Sequence, residues 1–323
     1  MARLVAVANQ KGGVAKTTTV HALGYALAAI GRRVLMVDLD PQADLTFSTG
    51  IDSTSLKCSM YDVMGGHVDA ADACVALEGP EGLDVLPATF DLFVTEVDLA
   101  PRTGREYALA RALAPVHGSY DVVLVDCPPS LGLLTVNALT AAEEVVIPCQ
   151  CETLSDRGVG QLLELIADVR MFTNPGLDVR GVIPTMFDRH TTHNRSILVD
   201  IEDRHGVPVL HPPVRKSIRF AEASRSGKSI LEYAPDLPAA GAYRQLAQLL
   251  DTSAPQRSRV LAVGCPVAVR DRYQGNWAQG FDIAGRRGAE YVVRRLSDDS
   301  VLPGTFGAED VRAVTAGKAA AQW

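Results

Sequence analysis

The residues best placed to do chemistry form a short segment near the start of the chain, Gln10–Thr18, which reads QKGGVAKTT. It follows an apolar run and leads into a segment with helical spacing. Glycines let a backbone turn tightly enough for its N–H groups to face a polyphosphate, and a helix that begins there adds the positive end of its dipole. Lys16 would then contact the β- and γ-phosphates, and the Thr17 hydroxyl would coordinate Mg²⁺. The spacing predicts a nucleotide-phosphate site.

The common phosphate-loop pattern G-x-x-x-x-G-K-[ST] fails at both glycines, where this chain has Gln10 and Ala15. The segment instead resembles the deviant Walker A loop of the ParA/MinD family, K-G-G-x-G-K-[ST]. The resemblance implies that Lys11 reaches across a sandwich dimer to the nucleotide of the second subunit. It also implies ATP binding by the loop residues Lys11, Gly12, Gly13, Val14, Ala15, Lys16, Thr17 and Thr18. Because Ala15 replaces a glycine, its β-carbon requires either a negative φ or some strain.

Two aspartates follow the second apolar run, in the sequence Asp38-Leu39-Asp40-Pro41-Gln42. Strand alternation would put Asp38 and Asp40 on one side of the strand end. The element resembles the Walker A′ motif D-x-D-P-Q of ParA proteins, which implies that Asp40 orients the attacking water and, with Thr17 and Asp126, belongs to the Mg²⁺ site. The alternative is that both acids cap the next turn.

A third apolar run, Asp121–Asp126, ends in an acid and continues Cys-Pro-Pro-Ser-Leu-Gly. This is the Walker B arrangement, in which Asp126 can hold the Mg²⁺ shell through water. The stretch closely resembles D-C-P-P-S-L-G of ParA proteins, which implies that Cys127 packs beside the site. Phosphoryl transfer to water needs placement and charge neutralisation, and Lys11, Lys16 and Asp40 would supply them. No strong general base is evident, so we expect slow hydrolysis.

Basic residues gather at two places in an otherwise acidic region. The segment 214–228 resembles a ParA stretch near which basic residues bind DNA phosphates. The segment 185–195 resembles the stretch T-M-[LF]-D-x-R-T-N of the same family. That second resemblance also implies that Met186 contacts the nucleotide. In the segment 214–228, Arg215 stands where the family has a proline. The resulting candidates for nonspecific DNA binding are Arg189, Arg195, Arg215, Lys216, Arg219 and Lys228. The alternative for each is a solvated surface charge.

The elements that must position these residues alternate along the chain. Short apolar runs predict buried strands at 4–8, 34–38, 83–87, 121–126, 145–149, 181–185 and 207–210. Helical spacing lies between them at 17–31, 156–172 and 239–250. We therefore expect an α/β fold, a doubly wound, mostly parallel sheet of the P-loop NTPase type.

The remainder of the chain changes character. We expect an ATPase domain at 1–251, a linker at 252–259 and a small β-rich domain at 260–323. Strand patterns at 260–263, 267–270, 277–283 and 291–296 suggest a bent barrel of SH3 or Tudor shape. Its aromatic residues would form a core or line a peptide pocket, and we favour the core: Trp277, Phe281, Tyr291 and Phe306.

Composition limits the classes of function. The formal net charge is −7, but residues 252–323 carry 10 basic and 7 acidic side chains. Bulk charge therefore does not favour DNA, and any DNA contact requires a local basic patch. The six cysteines form no CxxC pair, which fits reduced thiols in a cytoplasm. The first apolar run is too short for a signal segment or a membrane span, and nothing at the end resembles the basic amphipathic helix of MinD-like proteins.

The resemblance covers residues 1 to about 250. It predicts a ParA/Soj-type ATPase of the short form with an added tail, located in the cytoplasm on the nucleoid. It implies ATP and Mg²⁺ as cofactors, an ATP-dependent homodimer, nonspecific double-stranded DNA and a ParB-like centromere-binding partner. The alternative is a related ATPase that positions a protein cargo.

Overall fold

The structure is a computed structural model that describes residues 2–150, 155–187, 198, 201–252, 264–270, 277–287, 290–307 and 310–313. The chain divides into two compact units, Met1–Thr252 and Ser253–Trp323. None of the described helices is long and apolar enough to cross a membrane.

The first unit is built on a seven-stranded sheet with the order β3-β4-β2-β5-β1-β6-β7. All pairs are parallel except β3 with β4 at one edge. The strands are β1 (Arg3–Val7), β2 (Val34–Asp38), β3 (Val75–Ala76), β4 (Leu83–Leu86), β5 (Val122–Asp126), β6 (Glu144–Gln150) and β7 (Asp178–Thr185). The predicted mostly parallel α/β sheet is confirmed.

Helices cover both faces of this sheet, and each face has its own apolar core. They are α1 (Lys16–Ala29), α2 (Asp44–Ser48), α3 (Met60–Gly65), α4 (Ala70–Ala73), α5 (Leu92–Leu99), α6 (Ala108–Leu113), α7 (Leu133–Ala141), α8 (Ser155–Phe172), α9 (201–205), α10 (Arg219–Arg225), α11 (Ile230–Tyr233) and α12 (Pro238–Thr252). The central strands are buried on both sides, which explains their continuous runs of apolar residues.

The strand predicted at 207–210 is wrong as a continuous element. Val209 makes a single parallel bridge to Val182 at the edge of β7. Pro208 has no N–H to donate, so the ladder cannot extend there. The carbonyl of Pro208 and the amide of Leu210 both still bond to Val182.

The second unit contains a four-stranded antiparallel sheet with the order β10-β9-β8-β11. Its strands are β8 (Pro266–Arg270), β9 (Trp277–Arg287), β10 (Glu290–Arg295) and β11 (Val311–Ala313). Tyr291 and Phe306 are buried in its core, and Phe281 packs against them half-buried. The strand expected at 260–263 lies outside the described residues.

Candidate nucleotide site

The loop between β1 and α1 is fixed by backbone conformation and by one buried amide side chain. Gly13 and Ala15 are both left-handed, with φ of 72° and 68°. Asn9 is buried, and its amide donates to the carbonyl of Pro148 at 2.8 Å while its Oδ1 accepts from the N–H of Lys11 at 3.0 Å. Ala15 is the N-cap of α1 and offers no side-chain acceptor. The first amides of a 14-residue helix therefore remain for an anion.

Lys16 is buried under this loop. Its Nζ donates to the carbonyl of Lys11 at 3.3 Å, so the side chain curls back along the turn. Burial lowers the pKa of Lys16, and the nearby carboxylates of Asp126 and Asp40 oppose that shift. A lysine in this position supplies positive charge inside the concave side of the loop.

Asp126 and Asp38 end neighbouring strands in direct register. Both are fully buried, and neither carboxylate oxygen of Asp126 has a hydrogen-bond partner among the described residues. Burial and then the charge of Asp38 raise the pKa of Asp126 well above its usual range. Burial raises the pKa of Asp38 to about 7. A cation would relieve this crowding of acids.

Asp38 caps the segment that follows β2, which is the alternative role that the sequence allowed, and only its partner Thr46 was not indicated. Its Oδ2 accepts from the N–H and the hydroxyl of Thr46 at 2.8 and 2.6 Å. The Thr46 hydroxyl in turn accepts from the N–H of Ala88 at 2.9 Å. Asp38 thereby ties the start of α2 to the end of β4.

Asp40 lies on the loop that follows, with Oδ1 accepting from the N–H of Gln42 at 3.0 Å. Burial raises the pKa of its carboxyl group, while the Gln42 bond and the charge of Lys16 oppose that shift. The N–H of Asp40 bonds to Asp38 at 3.2 Å. Asp40 is therefore a nearly buried carboxylate beside Lys16.

The donor set fits Mg²⁺ bound together with a nucleotide. Mg²⁺ usually takes one or two carboxylates and completes its shell with phosphates and water. Asp126 offers oxygens without a partner among the described residues, and Thr17, one residue beyond Lys16, lies close enough to Asp126 to lower the pKa of its carboxyl group. The described residues contain no group of three or more His, Cys, Asp or Glu side chains that could hold a metal by itself. A metal held largely by phosphates is consistent with both observations.

Met186 leaves the end of β7 next to the loop. The hydroxyl of Thr185 donates to the carbonyl of Val14 at 2.9 Å, which joins β7 to the phosphate loop. Met186 has a left-handed φ of 49° and is half-buried. It therefore stands directly beyond the strand that contacts the loop. Thr18, in the first turn of α1, is also half-buried.

The basic candidates are only partly brought together. The backbone of Arg215 forms an isolated parallel β-bridge with that of Phe187, just beyond β7. The side chains of Arg215 and Lys216 are exposed. Arg219 forms an exposed ion pair with Glu222 at 2.8 Å. Lys228, beyond α10, lines a cavity of about 410 Å³ that Glu78 and Glu232 also line. Arg189 and Arg195 lie outside the described residues.

Cys127 is fully buried, and burial followed by the charge of Asp126 raises the pKa of its thiol. This favours a packing role over a nucleophilic one. Sequence reasoning missed Asn9 and Thr46, whose only signals were a polar residue directly after β1 and a threonine inside the segment after Asp40.

Comparisons with known proteins agree with this geometry. A family model described as an AAA domain matches residues 2–179. The chromosome partitioning protein ParA of Caulobacter vibrioides is 44% identical over 250 residues, which are 76% of this chain and 92% of that protein. The sporulation initiation inhibitor protein Soj of Bacillus subtilis is 41% identical over 248 residues, which are 77% of this chain and 98% of Soj.

Solved structures give the same picture. One is the structure of cobyrinic acid a,c-diamide synthase from Mycobacterium smegmatis with bound ADP and magnesium, which is 49% identical in sequence to this chain. The match has a TM-score of 0.70 and covers 78% of this chain and 95% of that one. MinD from Pyrococcus horikoshii, at 24% identity and a TM-score of 0.64, covers 80% of this chain and all of its own, and shares the fold. The extent and identity of the matches to ParA and Soj show that this chain belongs to the ParA/Soj family of partitioning ATPases.

Proposed function

We propose that this protein is an ATP-dependent switch that dimerises around Mg²⁺-bound ATP, binds DNA nonspecifically in that state and hydrolyses ATP slowly to partition a plasmid or chromosome. The observation that carries the proposal is the convergence of Lys16, Asp40 and the unpartnered Asp126 at a left-handed loop. The family membership supports the same activity.

Bound Mg²⁺ neutralises phosphate charge and polarises the γ-phosphoryl group. The protein does the rest by placement. Lys16 and the first amides of α1 hold the phosphates, and Thr17 and Asp126 hold the metal shell. Asp40 orients a water molecule, and its bonds to Gln42 and Asp38 fix the position of the segment. Because none of these groups is a strong base, turnover without a partner is slow.

Lys11 is the residue that links the nucleotide site to dimerisation in this proposal. It stands half-exposed on the turn, whereas Lys16 lies buried beneath it. Only a residue on the outside of the loop can reach a nucleotide held by another subunit. The half-exposed position of Lys11 supports a contact in trans, in which case the ATP-bound state is the dimeric state.

Calorimetry measures nucleotide binding and light scattering measures dimerisation, and together they distinguish the roles of Lys16 and Lys11. Lys16→Ala should weaken Mg²⁺·ATP binding at least about 100-fold, because the phosphates lose a buried charge-assisted contact. Lys11→Ala should bind the nucleotide within a few-fold of the parent but remain monomeric. Lys57→Ala, on an exposed loop, is the control. A parent protein that takes up no Mg²⁺·ATP would refute the proposal.

We assign DNA binding to the basic residues of the segments 185–195 and 214–228. Contacts with phosphates predict binding without sequence preference and with strong salt dependence. Replacing Arg195, Arg215 and Arg219 by Ala should weaken ATP-dependent binding and reduce the slope of log K against log salt by about 2 to 3. Arg102, Arg111 and Arg244 are exposed elsewhere on the same unit, and their triple Ala variant loses the same charge. Equal loss in both variants would exclude a local patch.

A ParB-like partner is the expected stimulator of hydrolysis. We expect the partner and DNA together to raise the ATPase rate above that with either alone. The second candidate function is positioning of a protein cargo, which the additional unit Ser253–Trp323 favours. Absence of DNA binding in every nucleotide state, with normal dimerisation, would select that candidate.

A further inference from the structure

Helix α5 carries a ridge of apolar side chains on its outer face. We define the α5 ridge as Phe90, Phe93, Val94 and Val97, whose exposed fractions are 72%, 50%, 47% and 71%. The rings of Phe90 and Phe93 touch, with centroids 4.9 Å apart. In the described part of the chain, no other stretch of eight residues exposes as many large apolar side chains.

The inner face of the same helix is already packed against the core. Leu92, Thr95 and Leu99 are buried against the core of the first unit. The spacing of the ridge, with one side chain before the helix and the others on its solvent side, follows the helical period. The ridge is therefore a second apolar face, and the core does not account for it.

The ridge begins at the edge of the sheet that holds the nucleotide site. Strand β4 runs parallel to β2, so the segment after β4 emerges at the same edge as Asp38. The N–H of Ala88, two residues before Phe90, bonds to Thr46, which bonds to Asp38. The ridge extends from this edge along α5.

A second set of contacts ties α5 to the phosphate loop. Glu96 accepts from the N–H of Leu134, in the first turn of α7, at 3.1 Å. The segment before α7 includes Pro129, against which the backbone of Gly12 packs: a β-carbon at Gly12 would lie 3.9 Å from that of Pro129. The phosphate loop thus lies against the segment after Asp126, and Glu96 of α5 bonds to the helix that follows that segment.

The size of the ridge indicates what can cover it. Its exposed apolar surface is roughly 400 Å², within the range of the largest patches on monomers, which are often functional. A stable interface buries about 800 Å² on each partner. The ridge alone does not reach that size, so it would form one part of a larger interface. The exposed acids Asp91 and Asp98 beside it are unfavourable for nucleic-acid phosphates.

We propose that the α5 ridge is a self-association surface, covered by a second copy of this chain when two subunits close on Mg²⁺·ATP. This inference rests on the proposed dimeric switch and assigns a further part of its interface. Half-exposed Lys11 reaches a partner's nucleotide only if the partner approaches the loop, and the ridge begins at the same edge of the sheet. Burial of the ridge then contributes to the stability of the ATP-bound dimer.

The test compares identical substitutions at two equally exposed phenylalanines. Phe90→Glu alters the ridge, and Phe172→Glu alters the end of α8, where Phe172 is 73% exposed at the opposite edge of the sheet. Val97→Glu is a second ridge variant, further from the nucleotide. Dimerisation of the full chain is measured by sedimentation velocity with Mg²⁺ and a slowly hydrolysed ATP analogue. Nucleotide binding is measured by calorimetry, and folding by circular dichroism.

We expect both ridge variants to raise the dimer dissociation constant at least about tenfold while binding the nucleotide within about twofold of the parent. Phe172→Glu should dimerise like the parent. Normal dimerisation of both ridge variants would overturn the inference and leave the switch intact. So would normal dimerisation combined with lost stimulation by a partner, since the ridge would then bind that partner. A parent that stays monomeric with nucleotide would refute the switch itself, and the inference with it.

Discussion

Ala15 holds a backbone conformation that suits glycine. Its φ of 68° and ψ of 36° place a β-carbon in the left-handed region, which costs an L-residue about 1–2 kcal/mol. The chain therefore tolerates strain at the point where the proposed phosphate contacts are made.

Ala15→Gly should stabilise the protein without nucleotide by up to about 1 kcal/mol, because relief of the strain exceeds the added freedom of the unfolded chain. Urea unfolding measures the change. Ala221→Gly, at an exposed position inside α10, should instead destabilise by about 1 kcal/mol. Destabilisation of equal size at both positions would show that Ala15 is not strained.

His21 is a buried titratable residue on α1. Its Nε2 has no partner among the described residues, and its ring packs edge-on against Tyr25 at 5.1 Å. Burial lowers the pKa of His21 to about 4. The folded state therefore keeps His21 neutral where the unfolded chain binds a proton.

Between about pH 6.5 and pH 4 the unfolded state binds more protons at His21, so stability falls as the pH falls through this window. His21→Phe should remove about 2 kcal/mol of the loss in unfolding free energy between pH 7 and pH 5. Urea titrations at both values measure it. His67→Gln, at an exposed position, is the control and should retain the full loss. An unchanged pH dependence in His21→Phe would contradict the assignment.

At the scale of elements, α2 connects the nucleotide site to the basic helix α10. The hydroxyls of Ser48 and Ser224 are 2.8 Å apart, and α2 begins just after Asp40. Beyond both helices the backbones of Gly50 and Gly227 meet so closely that a β-carbon at Gly227 would lie 2.7 Å from the α-carbon of Gly50. Glycine is required here by space as well as by a positive φ.

Gly227→Ala should therefore destabilise the first unit by roughly 2–4 kcal/mol, because a steric clash adds to the left-handed strain. Gly206→Ala is a matched control, since Gly206 has the same φ of 64° and nothing within 4 Å of the added carbon. It should cost only about 1 kcal/mol. Unfolding in urea compares them. Equal costs would show that α2 and α10 can separate freely.

At the scale of the whole molecule, the chain consists of two compact units with separate apolar cores. Both tryptophans, Trp277 and Trp323, belong to the second unit. Tryptophan fluorescence therefore reports the unfolding of the second unit, whereas helical circular dichroism reports that of the first.

In the second unit Arg294 forms two hydrogen bonds to the nearly buried Asp282 across β9 and β10, at 3.0 and 2.6 Å.

Arg294→Met should lower the denaturation midpoint seen by tryptophan fluorescence, because it leaves the carboxylate of Asp282 without its partner. The midpoint seen by helical circular dichroism should not move. Arg295→Met breaks only an exposed ion pair with Asp298 and should change neither midpoint. A parallel shift of both signals in Arg294→Met would mean that the two units unfold together.

Much of the architecture could be predicted because local patterns match it. The predicted strands 34–38 and 83–87 and the helix 156–172 agree with β2, β4 and α8 within one residue at each end. Short helices such as α4 and α11 carry too few turns to show a period. The edge strand β3 has two residues and gives no pattern at all. The SH3 or Tudor shape of the second unit stays a prediction.

The sequence by itself determined the chemistry: a loop that can bind phosphates, strand-end carboxylates and the lysines that accompany them. Those features are local, because each depends on residue types a few positions apart. Only the tertiary structure decided that Asp126 has no hydrogen-bond partner within the described part of the chain, that Asp38 bonds to Thr46, and that α5 keeps an apolar ridge exposed. These depend on which distant segments meet, and parallel pairing across a sheet joins residues that no local pattern relates.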